Sequence, residues 1–174
     1  MRRVVVGVMG PGAQQGSGDE FERLLQAAVD LGEAVARQGW ALLTGGRAEG
    51  VMDAASRGAD RAGGLVVGVL PGGDEADVSP HVHIAIKTDM GSARNNINVL
   101  SSDVVIACGL GPGTASEVCL ALKAHKAVIL LMVRPEDYQF FSRLSPGRVH
   151  AAQDVDEAIS MAREWLKELP QSVH

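Results

Sequence analysis

Apolar positions along the chain follow two alternating rhythms. Short runs rich in Val, Leu and Ile recur at Val4 to Met9, Ala41 to Thr44, Leu65 to Leu70, His83 to Lys87, Val104 to Cys108 and Val128 to Met132, with Val149 to Ala152 as a weaker edge run. They are almost continuously apolar, as strands covered on both faces must be. Between them the spacing becomes helical. Asp19 to Arg37 sets Phe21, Leu24, Leu25, Ala28, Leu31 and Val35 on one stripe, and Gly39 follows as a stop. The same reading predicts helices over Gly50 to Ala62, Ser92 to Leu100, Thr114 to Ala124, Pro135 to Leu144 and Val155 to Leu169. Strand and helix alternating this often give an α/β fold: a doubly wound, mostly parallel sheet of six or seven strands with helices on both faces. No linker or repeat interrupts it, so residues 1–174 are read as one domain, with a frayed tail beyond Glu168.

Composition narrows the picture without changing it. At 174 residues, 46% hydrophobic and 21% charged, the chain is ordinary globular material, and disorder is excluded. Aromatics are only 3%, leaving the aliphatics to fill the core. The net charge of −5 argues against nucleic-acid binding, which needs clustered Lys and Arg. No run approaches the length of a membrane span. Arg2-Arg3-Val4-Val5-Val6 is followed by glycines rather than by the apolar stretch of a secretion signal. Cys108 and Cys119 form no metal or redox motif and read as buried free thiols of a reducing compartment, which predicts a cytoplasmic protein.

The 21 glycines change the picture more, because of where they fall. In open parallel sheets, ligands bind outside the carboxyl ends of the strands. Gly10-Pro11-Gly12 follows the first strand, Gly45-Gly46-Arg47 the second, Pro71-Gly72-Gly73 the third and Gly109-Leu110-Gly111-Pro112-Gly113-Thr114 the fifth. One rim of one sheet therefore carries four glycine loops, which marks a ligand site. The last of them carries the clearest chemistry. Gly111 and Gly113 admit a close backbone approach, and the helix opening at Thr114 offers free N–H groups to an anion such as phosphate. Glu117 has two readings: a capping-box partner of Thr114, or a carboxylate contacting a ribose-like or pterin-like ring. Ser92 reads as the N-cap of its helix. Arg94 then lies unfavourably against the helix dipole unless an anion joins it. It is accordingly a candidate oxyanion ligand, against the alternatives of a solvated Arg or an intersubunit ion pair. Arg47 adds a second cation to the rim.

Other features carry less. His81 and His83 lie two apart with nothing nearby to complete a metal set, so they read as surface or strand residues, and no protein-held metal is expected. Asp74, Glu75 and Asp77 read as a solvated loop. Ser116 lacks a nucleophile elbow and a base. The glycines from Gly7 to Gly12 do not form the Gly-x-Gly-x-x-Gly fingerprint, which argues against dinucleotide binding of that kind.

Taken together, several blocks resemble a known group. Gly45-Gly46 with Gly50-Val51-Met52, Ala62-Gly63-Gly64, Val67-Gly68-Val69-Leu70-Pro71, Arg94 and Gly111-Pro112-Gly113-Thr114-Ala115-Ser116-Glu117 resemble the lysine-decarboxylase-like superfamily, which includes phosphoribohydrolases of nucleoside 5′-monophosphates. Within it the chain is more similar to the molybdenum cofactor carrier proteins. That likeness runs through Gly7 to Gly12, Gly39 to Arg47, Gly91-Ser92-Ala93-Arg94 with Asn96-Ile97-Asn98, Leu100 to Ser102 and Leu120 to Ala124. The hydrolase signature Pro-Gly-Gly-x-Gly-Thr-x-x-Glu opens differently here, as Gly109-Leu110-Gly111, and Asn95 stands where the hydrolases carry Lys.

The resemblance implies a Rossmann-like homo-oligomer, a tetramer, that binds molybdenum cofactor as cargo and hands it to an acceptor molybdoenzyme. The residues it assigns to the cofactor are Gly10, Gly12, Gly45, Gly46, Arg47, Ser92, Arg94, Asn96, Gly111, Gly113, Thr114 and Glu117. The cofactor brings its own dithiolene sulfurs, so no cysteine ligand is required. The alternatives are an N-glycosidase of nucleoside 5′-monophosphates, with Arg94 and Glu117 as catalytic pair, and a nucleotide-sensing binding module.

Overall fold

The computed structural model describes residues 2–12 and 18–168. Seven strands, β1 (Val5–Met9), β2 (Ala41–Thr44), β3 (Leu65–Leu70), β4 (Ile84–Lys87), β5 (Val104–Cys108), β6 (Val128–Leu131) and β7 (Val149–Ala152), form one sheet in the order β4-β3-β2-β1-β5-β6-β7. Every neighbouring pair is parallel. Six helices pack on it: α1 (Asp19–Arg37), α2 (Gly50–Arg61), α3 (Asn95–Ser101), α4 (Pro112–Lys123), α5 (Pro135–Leu144) and α6 (Val155–Glu168), the first five between strands and α6 after the last. The expected single-domain, doubly wound α/β architecture is thus the observed one, and the weak seventh run is a true edge strand. The predicted last helix extends one residue, Leu169, outside the described residues, as does the tail beyond it.

Alternation along β1 shows how the sheet separates two cores. Val6 and Val8 join the cluster with α1, α2 and α6, whereas Val5 and Met9 face the cluster with α3, α4 and α5. Ala, Val, Leu and Ile fill both layers, as the scarcity of aromatics requires. No described helix is long and apolar enough to cross a membrane.

Two expected helix starts are displaced, and both displacements matter for the site. The segment expected to begin a helix at Ser92 forms a short 3-10 turn, Gly91–Arg94, before α3 begins at Asn95. Ser92 is exposed there and makes no capping bond, so it is not an N-cap. Helix α4 begins at Pro112, two residues before Thr114, with Gly111 as its N-cap. Proline is favoured in the first turn because it lacks the N–H that would be left unpaired. Thr114 therefore stands inside the first turn, and the capping box with Glu117 does not form.

Other expectations need correcting. Cys108 is buried, and burial pushes its thiol up to about 12, but Cys119 is exposed on α4. His81 and His83 precede β4 rather than lying on it. Both face Asp60 of α2, His81 Nδ1 at 2.8 Å and His83 Nε2 at 3.4 Å.

Candidate functional site

The strand order reverses at β1: β2, β3 and β4 extend to one side, and β5 returns to the other. Such a switch point leaves a crevice at the carboxyl ends of the two central strands. A cavity of about 180 Å³ lies there, walled by the ends of β1 and β2, the first turn of α4, and side chains from α2 and the 3-10 turn. Eight of the sequence-predicted site residues line it: Gly10, Gly12, Gly45, Arg47, Arg94, Gly113, Thr114 and Glu117.

The other four do not line this cavity. Gly46 sits behind the wall with φ +75°, where a Cβ would meet the Gly68 backbone at 2.9 Å. Its N–H donates to Thr44 Oγ1, and its carbonyl accepts the Ser79 N–H. Gly111, as N-cap of α4, lines a neighbouring cavity instead. Ser92 and Asn96 are exposed and line neither of the two. The reason is register: the turn and α3 bury Arg94, Asn95 and Asn98 together, which leaves Asn96 on the outer face.

At the cavity floor the polar groups form one connected network. Arg94 Nη1 donates to Asn95 Oδ1 at 2.7 Å and lies 3.6 Å from Glu117 Oε1. Asn95 Nδ2 donates to Ser116 Oγ at 3.0 Å, and that hydroxyl donates to the Gly113 carbonyl at 2.6 Å. Asn98 Nδ2 donates to Glu117 Oε1 at 2.7 Å. Gly45 makes room for this arrangement, since a Cβ there would lie 2.6 Å from Arg94 Nη2. At the mouth, Arg47 Nη1 pairs with Glu49 Oε1 at 2.8 Å.

The electrostatics differ from the cationic rim expected from the sequence. Arg47 and Arg94 are each matched by a carboxylate, Glu49 and Glu117, so the four charged residues on the wall sum formally to zero. Burial pushes the Glu117 carboxyl above its ordinary range, opposed by the Asn98 hydrogen bond and the Arg94 charge. Burial also lowers Arg94, opposed by Glu117 and reinforced by the like charge of Arg47.

Three buried atoms of this network have no hydrogen-bond partner: Arg94 Nε, Asn98 Oδ1 and Thr114 Oγ1. Buried polar atoms are nearly always paired, and each exception costs about 1–3 kcal/mol. Two of them, on Arg94 and Thr114, belong to residues that line the cavity, the pattern of a site whose remaining partners come from a ligand, and Asn98 lies behind Glu117. Free donors stand beside them. Pro112 has no N–H, and the Ala115 N–H already bonds to the Gly111 carbonyl at 2.8 Å. The Gly113 and Thr114 N–H groups precede any helical partner, and they carry the positive end of the α4 dipole.

Asn95, Asn98, Glu49 and Met52 belong to the site but were missed by reasoning from the sequence. Asn98 had a usable signal, because it lies one helical turn beyond Arg94. Glu49 had a weaker one, as the acid two residues after Arg47 in a glycine loop. Asn95 and Met52 were marked only by the resemblance, Asn95 as the position where the hydrolases carry Lys and Met52 within the Gly50-Val51-Met52 block.

Comparison with known proteins identifies the family and the fold. The SLOG cluster4 family profile (LDcluster4) matches residues 3–159. An uncharacterized protein of Archaeoglobus fulgidus is 41% identical over 131 residues, 75% of this chain and 82% of its own length. The molybdenum cofactor binding protein of the phototrophic bacterium Rippkaea orientalis superposes with a TM-score of 0.89 at 48% identity, covering 95% of this chain and 99% of that one. The molybdenum cofactor carrier protein of Chlamydomonas reinhardtii gives 0.89 at 50% identity, with the same coverage. By the extent of the profile match and by these relatives, the chain belongs to the SLOG cluster4 family.

Proposed function

We propose that this protein binds molybdenum cofactor in the β1/β5 crevice, stores it and hands it intact to an acceptor molybdoenzyme. The observation that carries the reading is the pair of orphaned buried atoms on residues lining one cavity, Arg94 Nε and Thr114 Oγ1, with a third, Asn98 Oδ1, in the layer behind Glu117. The fold that holds them is shared with two proteins named for binding or carrying this cofactor. The cargo suits the site. Its phosphate fits the Gly113 and Thr114 N–H groups and the Thr114 hydroxyl at the α4 N-terminus. The amine and ring N–H of its pterin are donors, and Glu117 offers a carboxylate whose Oε2 has no hydrogen-bond partner among the described residues. Gly10, Gly12, Gly45 and Gly113 supply walls without side chains.

The protein acts as a non-catalytic homo-oligomer, a tetramer. Exposed Ile84 and Ile86 on the edge strand β4, with Leu100, Phe140 and Leu144 elsewhere, supply apolar surface for self-association. The exposed thiol of Cys119 suits a reducing, cytoplasmic setting.

One observation favours a second reading. Arg94 and Glu117 are in contact, as the catalytic pair of a nucleoside monophosphate N-glycosidase would be. A single experiment separates the two. Protein purified from a host that makes the cofactor is analysed for molybdenum and pterin, and its transfer to a cofactor-free acceptor enzyme is followed. In parallel, adenosine, guanosine and cytidine monophosphates are tested for base release. Copurifying pterin and transfer without base release are expected. Base release at about 1 per second or faster, lost in Glu117→Gln, would overturn the carrier reading.

A further inference from the structure

Asn98 of α3 stands one layer behind the cavity wall. It is fully buried and lines neither the cavity of about 180 Å³ nor the larger neighbouring one of about 540 Å³. Its Nδ2 donates to Glu117 Oε1 at 2.7 Å, and its main-chain carbonyl accepts the Ser102 hydroxyl at 2.7 Å. Its Oδ1 is buried without a partner. Buried amide oxygens are rarely left so, and turning the amide over would present Oδ1 to Glu117 instead. That orientation is satisfied only by the O–H of a carboxylic acid, whereas the observed one is satisfied by a carboxylate. The orphaned oxygen is the consequence of offering Glu117 a donor.

Glu117 has little else to hold its charge. Arg94 Nη1 lies 3.6 Å from Oε1 and gives its close hydrogen bond, at 2.7 Å, to Asn95 Oδ1. The other charged groups of the cavity, Arg47 and Glu49, are paired with each other at the mouth. Helix α3 carries no charged residue, and neither does β6. Further along α4, Lys123 and the Cys119 thiol are exposed, and Cys108 of β5 belongs to the opposite core. Burial opposes the charged form of Glu117, and a buried carboxylate is kept ionised by the hydrogen bonds it accepts. Asn98 supplies the one close bond of this kind. With Oε1 so anchored, Oε2, which has no hydrogen-bond partner among the described residues, is left for a ligand.

We propose that Asn98 is a positioning residue that makes Glu117 a selective acceptor for a heterocycle presenting an amine beside a ring N–H, and that it couples this recognition to one proton. The proposal rests on the carrier reading and deepens it by assigning the groups that tell the pterin edge from its oxo analogue. Two N–H donors stabilise the carboxylate, so a pterin that binds while Glu117 is neutral releases the Glu117 proton to solvent. A carbonyl in place of the amine opposes the lone pairs of the carboxylate but accepts a hydrogen bond from the acid. Preference for the amine is therefore present above the pKa of Glu117 in the empty site and fades as pH falls through it.

Titration calorimetry of the full chain with hydroxymethylpterin phosphate, and with the matching lumazine phosphate whose ring carries a carbonyl in place of the amine, gives this preference as a ratio at each pH. The phosphate titrates alike in both compounds and cancels in the ratio. Carboxyl-carbon NMR gives the Glu117 midpoint in the empty protein, assigned by its loss in Glu117→Gln. In the unmodified chain the pterin binds about ten-fold or more tightly on the alkaline side of that midpoint, and the ratio falls on the acid side. The Asn98 side-chain N–H resonance follows the same midpoint. Asn98→Leu removes the donor at similar volume and moves both the midpoint and the fading of the preference to higher pH. Asn98→Asp keeps the shape, sets a second carboxyl beside the first and moves them the same way. A midpoint and ratio unchanged in both variants overturn the proposal. So does an equal loss of affinity for both ligands at an unchanged midpoint, which is the mark of a merely structural residue. Where neither variant folds, an Asn98 N–H resonance that does not titrate with Glu117 overturns it. Binding of both compounds with a ratio independent of pH refutes the role of Asn98 and leaves the carrier standing, whereas no binding of either refutes the carrier reading and this proposal with it.

Discussion

Gly113→Val separates the fold from the site with one side chain. A Cβ built at Gly113 meets nothing within 4 Å, and its φ lies outside the left-handed region, so the backbone demands no glycine there. Valine at this second helical position costs the folded state little and restricts the unfolded chain, so the stability change should stay within about 1 kcal/mol. In a domain of this size that is a shift of about 2–4 °C in Tm. The site responds differently, because Gly113 lines the cavity and the new branches stand beside the Gly113 and Thr114 N–H groups. A hydrogen bond to a charged group contributes about 1.5–3 kcal/mol. Losing two of them therefore costs at least about 3 kcal/mol, a factor of about one hundred or more in affinity. Thermal melting followed by titration with a phosphate-bearing pterin reads both quantities on one sample. A variant that melts normally and binds with unchanged affinity would refute the assignment of this turn as the phosphate cradle.

Glu117→Gln replaces a carboxylate whose charged form burial disfavours with a neutral amide, so it should cost little stability in urea unfolding at pH 7, whereas a loss of about 3 kcal/mol, the cost of breaking a buried ion pair, would show that the Arg94 pairing outweighs burial. Burial holds the Glu117 carboxyl above its usual 4.5, so the folded state binds that proton more tightly than the unfolded chain. This contribution is full below about pH 4.5 and declines as pH rises through the elevated folded value, and the glutamine variant should flatten that part of the stability profile. Gly58→Ala tests the α1–α2 contact, since its Cβ would lie 1.9 Å from the Val29 carbonyl oxygen. Despite alanine's better helix propensity, it should destabilise by more than about 2 kcal/mol, and a neutral or stabilising effect would contradict the packing. Glu49→Gln frees Arg47 and should tighten binding of a phosphate-bearing ligand about three-fold or more by titration, whereas weaker binding would mean that Glu49 contacts the ligand itself.

The inner strands were legible because a sheet covered on both faces leaves an unmistakable run of Val, Leu and Ile, and the glycine loops at their ends located the crevice in advance, whereas the edge strand β4 carries a similar run with Ile84 and Ile86 exposed. What stayed hidden depends on where helices begin. Moving the start of α4 from Thr114 to Pro112 turns Thr114 from a cap into an orphaned hydroxyl and releases Glu117 from its local partner. Pro112 held that information, since proline belongs at the opening of a helix. The 3-10 turn before α3 carried no comparable mark, and with it went the distinction between Asn95, which is buried against Arg94 and Ser116, and the exposed Asn96. Reading side-chain direction needs register to within one residue, and apolar periodicity fixes boundaries less closely than that.

The matched charges of the smaller cavity also bear on how cargo leaves. A site built to hold an anion irreversibly would present unpaired guanidiniums, because each charge-assisted bond then adds to affinity without a competitor. Here an incoming anion must share Arg47 with Glu49 and Arg94 with Glu117. When the ligand departs, those carboxylates are already in place, so neither guanidinium is left without a counter-charge. Uncompensated buried charge is the expensive state, and the pairing avoids it in both the loaded and the empty protein. The gap in affinity between the two is thereby narrowed, and the groups that remain unsatisfied when empty are the neutral ones: the Thr114 hydroxyl, the Asn98 amide oxygen and free helix N–H groups. In the proposed carrier, recognition would thus rest on hydrogen bonds whose loss costs a few kcal/mol each, enough for selectivity and small enough for the ligand to leave.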